Sequence, residues 1–133
     1  MHLKDTKMSI KMVHVGSPVS GSPYSPAVIA GNTVYVSGQI PIDNETKQIV
    51  REDFEKAVHQ CFKNLTQVLE AAGASLSQCV KVVVFLKDMS NFSRMNSVYG
   101  EYFNSHKPAR SCIQVAGLPL DADVEIEAIA ILN

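Results

Sequence analysis

From Asp53 to Ala72 the apolar residues Phe54, Ala57, Val58, Cys61, Phe62, Leu65, Val68, Leu69 and Ala72 recur at intervals of three and four, and Gly73 follows where a helix C-cap belongs. This spacing predicts a helix of roughly five turns with one apolar face to bury. Shortly after it, Cys79 to Leu86 reads as a strand with Val80, Val82, Val84 and Leu86 on one side and Val83 and Phe85 on the other. A one-faced helix can be satisfied by packing on a sheet. A strand apolar on both sides at its centre needs cover on the second side as well, so these two segments together restrict the chain to helices laid on a sheet whose other face is also buried.

The remaining segments complete that scheme. Lys11 to Val15 is a short candidate strand, and Gly16 to Pro26 is a Gly/Ser/Pro-rich loop. Ala27 to Ala30 and Thr33 to Ser37 flank Gly31-Asn32, a two-residue hairpin turn. Phe92, Met95, Tyr99, Tyr102 and Phe103 mark a second amphipathic helix, and Arg110 to Val115 and Asp123 to Leu132 are the last strands. The order β-β-β-α-β-α-β-β, or β-β-α-β-α-β-β without the candidate first strand, predicts an α+β fold, a mixed sheet with two helices on one face. Val83, Phe85, Ile129 and Ile131 then line the opposite face, and self-association is the economical way to cover them.

A chain of 133 residues is one domain spanning 1–133, with 1–15 as an N-terminal extension that holds the candidate first strand. The net charge of -1 supplies no excess of positive charge for a polyanion, which argues against nucleic acid as a partner. Cys61, Cys79 and Cys112 form an odd set without CxxC spacing, and His2, His14, His59 and His106 show no ligand spacing, so neither a disulfide framework nor a metal site is expected. No organic cofactor motif is present, since the Gly16 to Pro26 loop lacks Walker spacing and a dinucleotide fingerprint. No apolar run approaches the ~20 residues of a membrane helix. Met1 to Met12 carries Lys4, Lys7, Lys11 and Asp5 but no arginine and no continuous apolar core, which favours the cytoplasm, with mitochondrial import as the alternative.

Chemistry concentrates near the C-terminus. Arg110 and Cys112 lie in Pro108-Ala109-Arg110-Ser111-Cys112, and Glu125-Ile126-Glu127 begins fifteen positions after Arg110, on what reads as a neighbouring strand. An arginine on a largely apolar strand keeps its charge and must be paired or bind something. Two readings stand side by side: a cross-strand salt bridge to Glu125 or Glu127, or a site for a planar anion with a carboxylate nearby to handle protons. Cys112 reads as a small wall residue more readily than as a nucleophile, for lack of an activating histidine nearby. Tyr24, Ser37 and Asn96 carry little signal alone.

Taken together, Pro23-Tyr24-Ser25, Val36-Ser37-Gly38-Gln39-Ile40-Pro41, Asn96-Ser97-Val98-Tyr99, and the stretch from Pro108-Ala109-Arg110-Ser111-Cys112 through Leu118-Pro119 to Glu125-Ile126-Glu127-Ala128-Ile129-Ala130 resemble the Rid family of reactive intermediate imine deaminases, also called YjgF or L-PSP proteins. The resemblance runs from about Tyr24 to Asn133. It implies a chorismate-mutase-like α+β fold and a homotrimer with three active sites in the clefts between subunits. It also implies that Arg110 binds a substrate carboxylate, that Cys112 lines the pocket, and that Glu125 orients water or relays a proton. Tyr24, Ser37, Gly38 and Asn96 match further pocket positions. One departure is visible: Ser25 is followed by Pro26 where the family usually has glutamine. The implied activity is hydrolysis of 2-iminobutanoate or 2-iminopropanoate to the 2-keto acid and ammonia, without metal or organic cofactor. The alternatives are an L-PSP-type endoribonuclease or translation inhibitor, and a non-catalytic, chaperone-like trimer that binds small carboxylates.

Overall fold

The computed structural model describes residues 9–15 and 22–133; the start of the expected N-terminal extension and the 16–21 part of the proline-containing loop lie outside the described residues. The strands are β1 (Ile10–Val13), β2 (Ala27–Ala30), β3 (Thr33–Gln39), β4 (Cys79–Leu86), β5 (Ala109–Gln114) and β6 (Val124–Ile131), and the helices are α1 (Phe54–Ala71) and α2 (Phe92–Tyr102). Their order along the chain is the expected one. Asp53 caps α1 by accepting from the backbone N–H groups of Glu55 and Lys56, and Gly73 takes φ +83° just past its end, which an L side chain would resist. Gly31, at φ +62°, turns β2 into β3 in the expected hairpin, with Ala30 paired to Thr33.

One mixed sheet holds all six strands in the order β1-β2-β3-β6-β4-β5, and only the β4–β5 pair is parallel. The reading of β5 and β6 as neighbours is corrected here. A parallel pair needs a crossover, and α2 supplies it from β4 to β5, which seats β5 on the sheet edge. β6 takes the other side of β4 and joins it to β3. Both helices cover one face. Phe62, Leu65 and Leu69 of α1 and Met95 of α2 are fully buried with Val34, Val82, Val84, Leu86, Val124 and Ile126 of the sheet. Each large side chain so buried contributes about 1.5–3 kcal/mol.

Val80 departs from the expected phase. A register shift between Cys79 and Lys81 against β6 turns Cys79 into the core and leaves Val80 44% exposed, while Val82, Val84 and Leu86 point inward as expected. On the face away from the helices, Val83, Phe85, Ile129 and Ile131 are half-buried, with Tyr35 and Ile113 exposed beside them. The apolar second face expected from the strand pattern is therefore present, and the described residues leave it uncovered.

Candidate active site

Arg110 opposes Val82 in the parallel ladder, so its side chain leaves the sheet on the helix side. There it meets α2. Its Nη1 donates to Asn96 Oδ1 at 2.6 Å, and its Cζ stands 4.6 Å from the centre of the Tyr99 ring and 5.6 Å from that of Phe92. Phe92, Asn96 and Tyr99 are spaced by four and three, which puts them on one stripe of the helix. The ion pairs among the described residues are Lys87–Asp121 and Arg94–Glu55, and neither involves Arg110. The salt-bridge reading of Arg110 is thereby corrected: β4 lies between β5 and β6, and Glu125 and Glu127 oppose Phe85 and Val83 on the other face of the sheet. Among the described residues the guanidinium keeps donors free of any carboxylate, which is what an anion site needs.

Cys112 follows two residues on, on the same side of β5, half-buried against the core. Burial pushes its thiol above the ordinary 9.0, and the charge of Arg110 opposes this less strongly. The thiol stays protonated at neutral pH, in keeping with a wall residue and not with a nucleophile.

The other candidate residues gather elsewhere. Between Val36↔Ala128 and Gln39↔Ile126, β3 carries one residue more than β6, which makes a bulge at Ser37-Gly38. Ser37 ties the preceding loop to this bulge: its Oγ donates to the Ser25 carbonyl at 2.6 Å and its N–H donates to the Pro26 carbonyl at 2.9 Å. Pro26 thus serves through its carbonyl, and the N–H it lacks is not used in this contact. Tyr24 stands on the same loop, 68% exposed. The Glu125 carboxylate lies directly over Gly38, where a β-carbon would come within 1.7 Å of Glu125 Oε2. Burial, and secondarily the charge of Glu127, raises the Glu125 pKa from its ordinary 4.5.

The candidate residues therefore fall into two separate groups within one chain. Arg110, Asn96 and Cys112 lie at the β5 edge on the helix side, whereas Tyr24, Ser37, Gly38 and Glu125 cluster around the β3 bulge. Two strand spacings, roughly 10 Å, and the thickness of the sheet separate Arg110 from Glu125.

The family described as Endoribonuclease L-PSP matches residues 16–132. The chain belongs to the Rid/YjgF/L-PSP family. This Rid-family chain is 49% identical over 114 residues to a RutC family protein of Pyrococcus horikoshii, covering 86% of this chain and 90% of that protein. It is 41% identical over 115 residues to the human 2-iminobutanoate/2-iminopropanoate deaminase, covering 86% and 84%. Among solved structures it is similar to Escherichia coli TdcF with bound serine, with 36% identity, a TM-score of 0.84, and coverage of 92% of this chain and 99% of that one. Among the described residues no helix of this Rid-family protein is long and apolar enough to cross a membrane.

Sequence reasoning missed two contacts. Phe92 and Tyr99 read only as helix-core residues, although their spacing with Asn96 signals a shared stripe. The Gly38–Glu125 approach had no sequence signal, because it joins residues far apart in the chain.

Proposed function

We propose that this protein hydrolyses small 2-imino acids, such as 2-iminopropanoate and 2-iminobutanoate, to 2-keto acids and ammonia. The observation that carries the reading is Arg110, held by Asn96 and two aromatic rings with no carboxylate partner among the described residues. The name of the human relative and the serine held by TdcF, a small amino acid with a carboxylate beside its nitrogen-bearing carbon, support it. The substrate carboxylate sits on the guanidinium through two charge-assisted hydrogen bonds of about 1.5–3 kcal/mol each, which fixes the C=N carbon. Water adds to that carbon, Glu125 holds the water or relays its proton to nitrogen, and the carbinolamine collapses to the 2-keto acid and ammonia. The raised pKa of Glu125 moves it toward neutrality, where a relay works best. Cys112 lines the pocket. A ribonuclease reading meets a net charge of -1, a poor match to a polyanion.

Because the two groups are apart in one chain, the reading requires a second copy. We place the chain in a homotrimer that buries the Val83, Phe85, Ile129 and Ile131 face and sets the Glu125 half of one copy against the Arg110 half of the next. Light scattering is expected to give the trimer mass, and a stable monomer at micromolar concentration would overturn the shared site.

The decisive assay generates a 2-imino acid in a coupled reaction and follows its decay with and without the protein. Glu125→Gln is expected to lower turnover about 100-fold, within the usual reach of acid–base catalysis, while 2-oxobutanoate still binds. Binding of 2-oxobutanoate without turnover by the unaltered protein would favour the non-catalytic trimer. Glu125→Gln also carries a stability signature. The folded state holds the Glu125 proton more tightly than the unfolded chain, so ionisation penalises folding. That penalty is absent below pH 4.5 and grows as pH rises through the raised folded value. The variant should therefore melt higher than the parent at pH 7, with the difference closing as pH falls from the raised folded value toward 4.5 and gone below it.

A further inference from the structure

Tyr99 is placed where it can govern Arg110. It is only 8% exposed, and its ring is wedged edge-on against Phe62 at 5.8 Å and tilted against Phe103 at 5.0 Å, so it cannot swing away from the guanidinium. Its hydroxyl is buried with no hydrogen-bond partner among the described residues, and the ring is the part of the residue that meets Arg110. Phe92, on the far side of Asn96 along the same stripe of α2, offers a second ring and is itself 36% exposed. The Asn96 hydrogen bond alone would let the guanidinium pivot about Nη1. Two ring contacts remove that freedom before any ligand arrives, and a cation held in advance binds more tightly because less ordering remains to be done.

We infer that Tyr99 and Phe92 are positioning residues: their rings hold the Arg110 guanidinium so that its free N–H edge meets the ligand carboxylate. The inference rests on the proposed deaminase reading for the identity of the ligand. Ring contacts of this kind correspond to roughly threefold to thirtyfold in affinity. The rings act on binding and not on proton transfer, so the effect belongs in KM and in the Kd for 2-oxobutanoate, with kcat nearly unchanged.

The test compares Phe92→Leu, Tyr99→Leu and Tyr99→Phe. Phe92→Leu is expected to raise Kd and KM about fivefold and Tyr99→Leu about tenfold, each with kcat within about twofold, whereas Tyr99→Phe stays within about twofold of the parent in all three. The ligand-free protein supplies an independent readout. The Arg110 Nε–H resonance should be displaced by ring currents in the parent and in Tyr99→Phe, and should move toward the ordinary arginine position in both leucine variants. Parent-like affinity and an unmoved resonance in Phe92→Leu would overturn the inference, as would a Tyr99→Phe defect as large as that of Tyr99→Leu. Should Tyr99→Leu not fold, the more exposed Phe92→Leu decides. A parent protein that neither turns over imino acids nor binds 2-oxobutanoate would sink the deaminase reading, and the resonance would still show whether the rings hold Arg110.

Discussion

Arg110→Lys is expected to yield a folded protein with the oligomeric state of the parent that has lost most of its 2-imino acid turnover and its affinity for 2-oxobutanoate. Lysine keeps the charge but has neither the planar two-point fork nor the flat surface that lies over Tyr99 and Phe92. Losing one of two charge-assisted hydrogen bonds, at about 1.5–3 kcal/mol, corresponds to roughly a tenfold to hundredfold weaker ligand. Because Arg110 makes no ion pair with Glu125 or Glu127 within the chain, thermal stability should change little. Thermal unfolding and 2-oxobutanoate titration on one sample check both halves. Unchanged ligand affinity would remove Arg110 from the site.

Gly38→Ala is expected to be as damaging, by a different route. The new β-carbon would stand 1.7 Å from Glu125 Oε2 and 2.7 Å from Glu125 Cδ, so the carboxylate must leave its place or the bulge must open. Either outcome takes the proposed relay from the proposed reacting carbon, and turnover should fall about 100-fold, as for Glu125→Gln. Because the atoms in the way are the far end of a flexible side chain, the cost in stability should lie at or below the ~1 kcal/mol low end of overpacking. Removing the obstructing side chain should abolish that cost, so Gly38→Ala in a Glu125→Ala background should melt close to Glu125→Ala alone. Full turnover in Gly38→Ala would mean that the position of the Glu125 carboxylate does not matter to the reaction.

The elements themselves were legible because each rests on local rules. The three-and-four spacing from Phe54 to Ala72 and Gly73 after it carry α1 and its C-terminal stop, whereas the capping of its first turn by Asp53 is seen only in the structure. Gly31-Asn32 carries the hairpin, and the alternation of Val124, Ile126, Ala128 and Ala130 with Glu125, Glu127, Ile129 and Ile131 shows which side of β6 is buried. Val80 was misplaced because alternation holds only while the ladder is regular, and the register shift beside it is a property of pairing with β6.

The residues of the candidate site could be named from the sequence, but their arrangement could not. The sequence by itself determined that an arginine with no means of losing its charge lies on β5, that two glutamates lie on one side of β6, and that the second face of the sheet is apolar, since these follow from residue type and a period of two. Only the tertiary structure decided that β4 separates those strands, that Arg110 and Glu125 leave the sheet on opposite sides, that α2 presents Asn96, Phe92 and Tyr99 to the guanidinium, and that Glu125 rests on Gly38. The reason is physical. Strand order and contacts such as Gly38 with Glu125 arise from pairing between segments whose separation along the chain leaves no local trace.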